Sequence, residues 1–267
     1  NNDKTLASTE SLTFNSQTGI WYTEIAQSND RQYYRFALNV YHAQNQQFES
    51  LEVTDPYSVS LSTNGEYSQF VNLQDADLKP NNWDSHAIPT ITNIEDAIIY
   101  EGHIRDFSIL DQSTSIENRG KYLAFTEENA LPVQHLASLA AAGLTHFQML
   151  PANDIASINE DINRTVNLNN TVDELCAISP NASVCGVENS GATLLSVYQS
   201  YDPSSTSAQA LAEELRGLDS FNWGYDPKHF NVPDGSYSSN ADGVARIIEM
   251  RQMNQALHNL GLRVSLD

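Results

Sequence analysis

Two junctions constrain this chain more than anything else in it. Ala142-Gly143-Leu144-Thr145 and Leu260-Gly261-Leu262-Arg263 repeat one device, a helix stopped by glycine and fed through leucine straight into a strand. Glycine just past a helix end closes the last carbonyls in a left-handed turn, so it marks the stop. Residues 131–142 supply the first helix, with Pro132 near its first turn, where a missing N–H is tolerated. Residues 243–260 supply the second, with Val244, Ile247, Ile248, Met253 and Leu257 on one apolar face. Residues 145–150, stopped by Pro151, and 263–266 read as strands, and 98–104 as a buried strand ahead of them. Strand, helix, strand, helix, strand with right-handed crossovers predicts parallel pairing. That unit suits a doubly wound sheet or a (β/α)8 barrel, and periodicity does not choose between them.

Ahead of the unit, residues 21–73 hold short aromatic and β-branched segments broken by turn signals at Asn29-Asp30, Asp55-Pro56 and Asn64-Gly65. Tyr34, Phe36, Leu38 and Val40 recur with a period of two, which predicts a half-buried strand and, for the region, a small β-sandwich. Residues 77–92, with Pro80, Asn81, Asn82 and Pro89, read as the linker after it. Between Pro151 and Gly243 lies a long insertion rich in Asn, Asp, Ser and Thr. It follows a strand, and such loops gather at the C-terminal face of α/β folds, where ligands bind.

Thirteen Lys plus Arg against 34 Asp plus Glu give a net charge of -21, which repels phosphate backbones and anionic membrane surfaces. Nucleic acid and membrane are therefore not expected as partners. No stretch approaches the ~20 apolar residues that span a bilayer. The opening Asn1-Asn2-Asp3-Lys4 lacks the pattern of a signal peptide, so the chain is expected to be mature or to lack its start. Cys176 and Cys185 sit in a loop-like stretch without metal-ligand spacing. They read as a disulfide formed in an oxidising compartment, with two buried thiols as the alternative.

Glycine-rich phosphate loops, a G-x-S-x-G elbow and a zinc-binding His-Glu-x-x-His are all missing. Residues 159–163 alternate oxygen ligands as a calcium loop does, yet lack the turn glycine and the distal acidic ligand, and so read as a polar loop. The most informative stretch is Phe221-Asn222-Trp223-Gly224-Tyr225-Asp226-Pro227, followed by Val232-Pro233-Asp234-Gly235-Ser236-Tyr237. Sugar sites use such mixtures, because ring faces stack on pyranose C–H faces while carboxylates and amides bond hydroxyls. A turn-rich loop packed over a barrel rim has the same composition.

At these residues the chain resembles a known family. NWGYDP and VPDGSY join YEGHIRDFS at 100–108, NRGKYLAFT at 118–126, GLTHFQMLPANDIASINE at 143–160 and the final GLRVSLD. Together they look like the pullulanase branch of the α-amylase superfamily. VTDPYSVSLSTNGEYSQFVNL at 53–73 and DADLKPNNW at 75–83 resemble the starch-binding-type β-sandwich that precedes the barrel in those enzymes.

The resemblance implies an α/β plus all-β chain. Residues 1–92 would be an incomplete starch-binding-type sandwich with its linker. Residues 93–267 would be the first three βα units of a (β/α)8 barrel, with the insertion at about 153–242 after strand two. It further implies retaining hydrolysis of α-1,6 linkages in pullulan, amylopectin and related dextrins, by an Asp nucleophile and a Glu acid/base about 5–5.5 Å apart.

Those catalytic carboxylates are expected beyond residue 267, so the chain alone is expected to be inactive, its partners being an α-glucan and the missing barrel half. Tyr225 matches the family tyrosine that stacks on the sugar. Asp226 lies beside it at the rim, and Asp267 matches the first Asp of a DVVYNH-like motif that braces the site. Cys176 and Cys185 fit the cysteine pair of secreted bacterial members, which implies secretion or cell-surface display. His103, Arg105 and Asp106 read as scaffold. No cofactor is expected, and calcium would belong to the parent protein. The alternatives are a non-catalytic starch- or glycogen-binding fragment and an α-1,4-cleaving or amylopullulanase-type enzyme.

Overall fold

A computed structural model describes residues 8–267; Asn1-Asn2-Asp3-Lys4 lies outside the described residues. The repeated junctions form as the sequence dictates. Strand β1 (Thr13–Asn15) pairs with β2 (Ile20–Tyr22), and β3 (Tyr33–Tyr34) precedes β4 (Phe36–His42) and β5 (Gln47–Val53). Strand β6 (Ser68–Gln69) is followed by β7 (Ile99–Gly102), α1 (Leu131–Ala141) and β8 (His146–Met149). Then come β9 (Asn153–Ile155), α2 (Val172–Ile178), α3 (Leu194–Ser200), α4 (Ser207–Leu215), β10 (Pro227–Pro233), α5 (Ala245–Asn259) and β11 (Arg263–Leu266).

Strands β11, β8 and β7 form a parallel sheet in that order, with Phe147 facing Tyr100 on one side and Val264 on the other. Gly143 and Gly261 both take positive φ and end α1 and α5. The main core packs Ile104, Tyr122, Phe125, Leu136, Phe147 and Met253 under this sheet. Phe107 stacks on Phe125 with ring centroids 3.9 Å apart. The strand expected to be buried at 98–104 is so at its end, where His103 and Ile104 are buried, whereas Ile98 and Ile99 are 55% and 56% exposed, because β7 pairs on one side alone among the described residues.

The N-terminal part consists of two-stranded antiparallel ladders: β1 with β2, β3 with β6, and β4 with β5. The β4–β5 hairpin runs seven pairs from Phe36↔Val53 to His42↔Gln47. Its period-two residues Leu38 and Val40 are exposed, as are Phe48 and Leu51.

The stretch expected to be a linker contacts α5. Arg251, Gln255 and His258 lie on one face of α5 at helical spacing. They bond the Leu78 carbonyl at 2.8 Å, the Asn81 carbonyl at 3.0 Å and the His86 ring at 2.9 Å.

The insertion leaves and returns through a neck in which β9 pairs antiparallel with the bulged β10. Beyond the neck it has its own core, in which Val166, Val172, Leu175, Leu194, Val197 and Leu211 pack together. Thr171 and Glu174 form a capping box that starts α2. Cys176 and Cys185 are disulfide-bonded with Cα atoms 5.8 Å apart, and both half-buried residues pack against this second core. No helix among the described residues is long and apolar enough to cross a membrane.

Candidate glucan-contact site

The candidate site lies at the C-terminal ends of β8 and β11. Gly224 sits at φ +81°, and a Cβ there would lie 2.2 Å from the Pro151 carbonyl oxygen, so only glycine lets the 221–226 loop press against the end of β8. That approach delivers Tyr225 to the end of β11, where its phenol donates a hydrogen bond to the Asp267 carboxylate. This bond above all pushes the Tyr225 phenol up to about 12. Tyr225 and Trp223 remain 60% and 62% exposed, leaving ring faces free to stack on a ligand. Phe221 meets Trp223 edge-on at 5.5 Å.

Of the three residues singled out in the sequence, Tyr225 and Asp267 come together and Asp226 does not join them. Its carboxylate accepts the Ser157 N–H at 3.0 Å and its carbonyl accepts the Ala156 N–H at 3.0 Å, which ties the loop to the neck. His103 ends the β7 segment in a buried position, whereas Arg105 and Asp106 pair at 2.9 Å with Asp106 largely in solvent. Burial lowers the His103 pKa from its ordinary value. In the Asn159 to Asn163 loop, Asn159 Oδ1 accepts from Asp161 N and Asp161 Oδ1 from Asn163 N, while the Glu160 carboxylate turns out of the loop to Arg246.

A second constellation gathers at the neck, where Asp154 of β9 faces His229 of β10. Arg246, fully buried on α5, donates to both carboxylate oxygens of Glu160 at 2.9 Å and stands 3.7 Å from Asp154. His229 bonds Asp154 at 2.7 Å and Thr54 at 2.7 Å. Asp234 accepts N–H bonds from Ile155 and Ser236, while burial, reinforced by Glu160, pushes it up to about 7.

Oxygens of Asp154, Glu160 and Asp234 lie within 4.8 Å of one another, a spacing that could hold a metal. Arg246 already supplies the compensating charge there, so the geometry is that of an ion-pair hub. The hub also receives the N-terminal part, through Asn64 N to Glu160 at 2.6 Å and Glu160 N to Asn64 Oδ1 at 2.8 Å. A Cβ on Gly235 would fall 2.6 Å from both Arg246 and Glu160, so glycine is needed for the hub to close.

Sequence reading missed the hub. One signal was available: Arg246 and Glu249 share the helical phase of Met253 and Leu257, and all four are buried.

The parallel sheet, the neck and the disulfide-stapled insertion define the class of molecule. Residues 155–221 match the family described as the Pullulanase Ins domain. The chain is 40% identical to a pullulanase of Klebsiella aerogenes over 99% of its own length and 25% of the relative's. It is 38% identical to the chloroplastic pullulanase 1 of Arabidopsis thaliana, over 93% of its own length and 23% of that protein. The maltotriose complex of PulA from Klebsiella pneumoniae superposes with a TM-score of 0.91 at 39% identity, covering 100% of this chain and 30% of that one. The chain is thus similar to pullulanases over nearly its whole length, and it spans about a quarter of the length of the curated relatives it matches.

Proposed function

We propose that these residues form the glucan-contacting early part of a debranching glycoside hydrolase that cleaves α-1,6 linkages in pullulan, amylopectin and related dextrins with retention of configuration. The observation that carries the reading is the Tyr225–Asp267 contact beside an exposed Trp223, at the end of the parallel sheet where α/β folds bind ligands. The solved maltotriose complex of a homologue supports an α-glucan as the ligand.

In this reading residues 93–267 are the first βα units of a (β/α)8 barrel, the N-terminal ladders belong to a starch-binding-type sandwich, and the protein works in a secreted or cell-surface setting, a reading the disulfide supports. Tyr225 stacks on a sugar ring, Asp267 orients the phenol, and Asp226 anchors the loop at the rim. Hydrolysis of this type needs an acid/base and a nucleophile about 5–5.5 Å apart. Neither is assigned to a residue of this chain, so binding without turnover is expected from it alone.

The test is titration with maltotriose followed by Trp fluorescence, alongside a reducing-end assay on pullulan. Tyr225→Ala should weaken binding at least tenfold. Release of reducing ends by the 267 residues alone, or unchanged affinity in Tyr225→Ala, would overturn the assignment.

A further inference from the structure

Among the described residues, 222–225 enter no backbone–backbone hydrogen bond, so side chains must hold the loop that carries Trp223 and Tyr225. Asn222 is the inward-facing member: it is buried, while Phe221 and Trp223 on either side are exposed. Its Oδ1 accepts from the Tyr237 hydroxyl at 3.3 Å, and the same hydroxyl lies 3.3 Å from His103 Nε2.

The direction of this chain follows from its far end. The Asp106 N–H donates to His103 Nδ1 at 3.4 Å, so the ring is neutral with its proton on Nε2. His103 Nε2–H then faces the Tyr237 hydroxyl, whose proton goes to Asn222 Oδ1, and His103 also interacts with Asn222 directly. Burial favours this arrangement, since it lowers the His103 pKa and raises that of Tyr237. The Tyr237 ring also stands edge-on to His103 at 5.8 Å and to Tyr122 at 5.7 Å, which fixes its hydroxyl against the core. Asn222 Nδ2 is buried without a partner, so the residue is held through its oxygen.

We infer that His103, Tyr237 and Asn222 are positioning residues: a one-way hydrogen-bond chain from the end of β7 that holds the aromatic loop in its ligand-ready shape. The inference deepens the glucan reading but has a consequence independent of it. Losing the chain loosens the loop whether or not a sugar binds.

The experiment is native-state hydrogen exchange on the whole chain, comparing wild type, Tyr237→Phe and Asn222→Ala, with maltotriose titration in parallel. Tyr237→Phe deletes the hydroxyl and keeps the buried ring. In both variants the amides of residues 222–226 should exchange at least tenfold faster, with β8 and the insertion core unchanged, and maltotriose affinity should fall at least threefold. Loop exchange at the wild-type rate in Tyr237→Phe overturns the inference, as does a uniform increase throughout the chain. If wild type binds no maltotriose while the loop alone loosens in the variants, the glucan reading fails and the positioning chain stands.

Discussion

Arg246→Met is the sharpest perturbation of this fold. The guanidinium is fully buried, bonds Glu160 twice at 2.9 Å, and also donates to the Pro233 carbonyl at 3.1 Å and to the Ala241 carbonyl. Methionine conserves most of the stem but strands Glu160 without its cation and leaves Asp154 with His229 alone. Removing one partner of a buried pair costs about 3–5 kcal/mol, because the remaining charge stays desolvated. At roughly 2–4 °C per kcal/mol for a chain of this size, Tm should drop by about 6–20 °C in calorimetry. Adding Glu160→Gln should recover part of the loss, giving a coupling energy above about 1 kcal/mol in the double-mutant cycle. A single variant within about 1 kcal/mol of wild type, or additive effects in the double variant, would refute the hub as the element that fastens the neck, α5 and the 54–65 segment together.

Three further outcomes follow from named contacts. Gly224→Ala meets the Pro151 carbonyl and a left-handed backbone that costs a β-carbon-bearing residue roughly 1–3 kcal/mol. The Tyr225 phenol should therefore leave Asp267 and titrate near its ordinary value of about 10, read by ultraviolet absorbance. Replacing Cys176 and Cys185 together by serine releases a link spanning nine residues in sequence, worth about 2.5 kcal/mol by loop-closure entropy. Hydrogen exchange should rise in the second core alone, leaving the parallel sheet protected. His86 donates Nδ1–H to the Trp83 carbonyl at 2.6 Å and accepts from His258 at 2.9 Å. Burial and the facing His86 lower the His258 pKa, so this contact is fully stabilising above about pH 6.5 and is lost as pH falls. Urea midpoints should fall from pH 7 toward pH 5 in wild type and more shallowly in His258→Asn.

The sequence by itself determined the parts whose signals are local. Glycine at 143 and 261 stops two helices because the backbone must turn left-handed there, and both stops hold in the structure. The parallel order of β7, β8 and β11 follows from crossover handedness, and the two cysteines pair across a short turn. The exposure of Ile98 and Ile99 was not legible, since an apolar run looks the same on a sheet edge as in its middle. Nor was the docking of residues 78–86 on α5, because proline and asparagine mark a turn without saying what it rests on.

Tertiary structure alone decided the site's inner wiring. Glu160 reaches Arg246 across 86 residues, Asn64 reaches Glu160 across 96, and Tyr237 reaches His103 across 134. Periodicity reports which face of an element is apolar, but it carries no information about which buried charge will meet which. That pairing is set by desolvation: once the neck folds back on α5, each carboxylate must find a donor or remain buried without one. Tyr225 and Asp267 show the same division, for each was singled out by resemblance to a family motif while their contact required Gly224 to lie against Pro151.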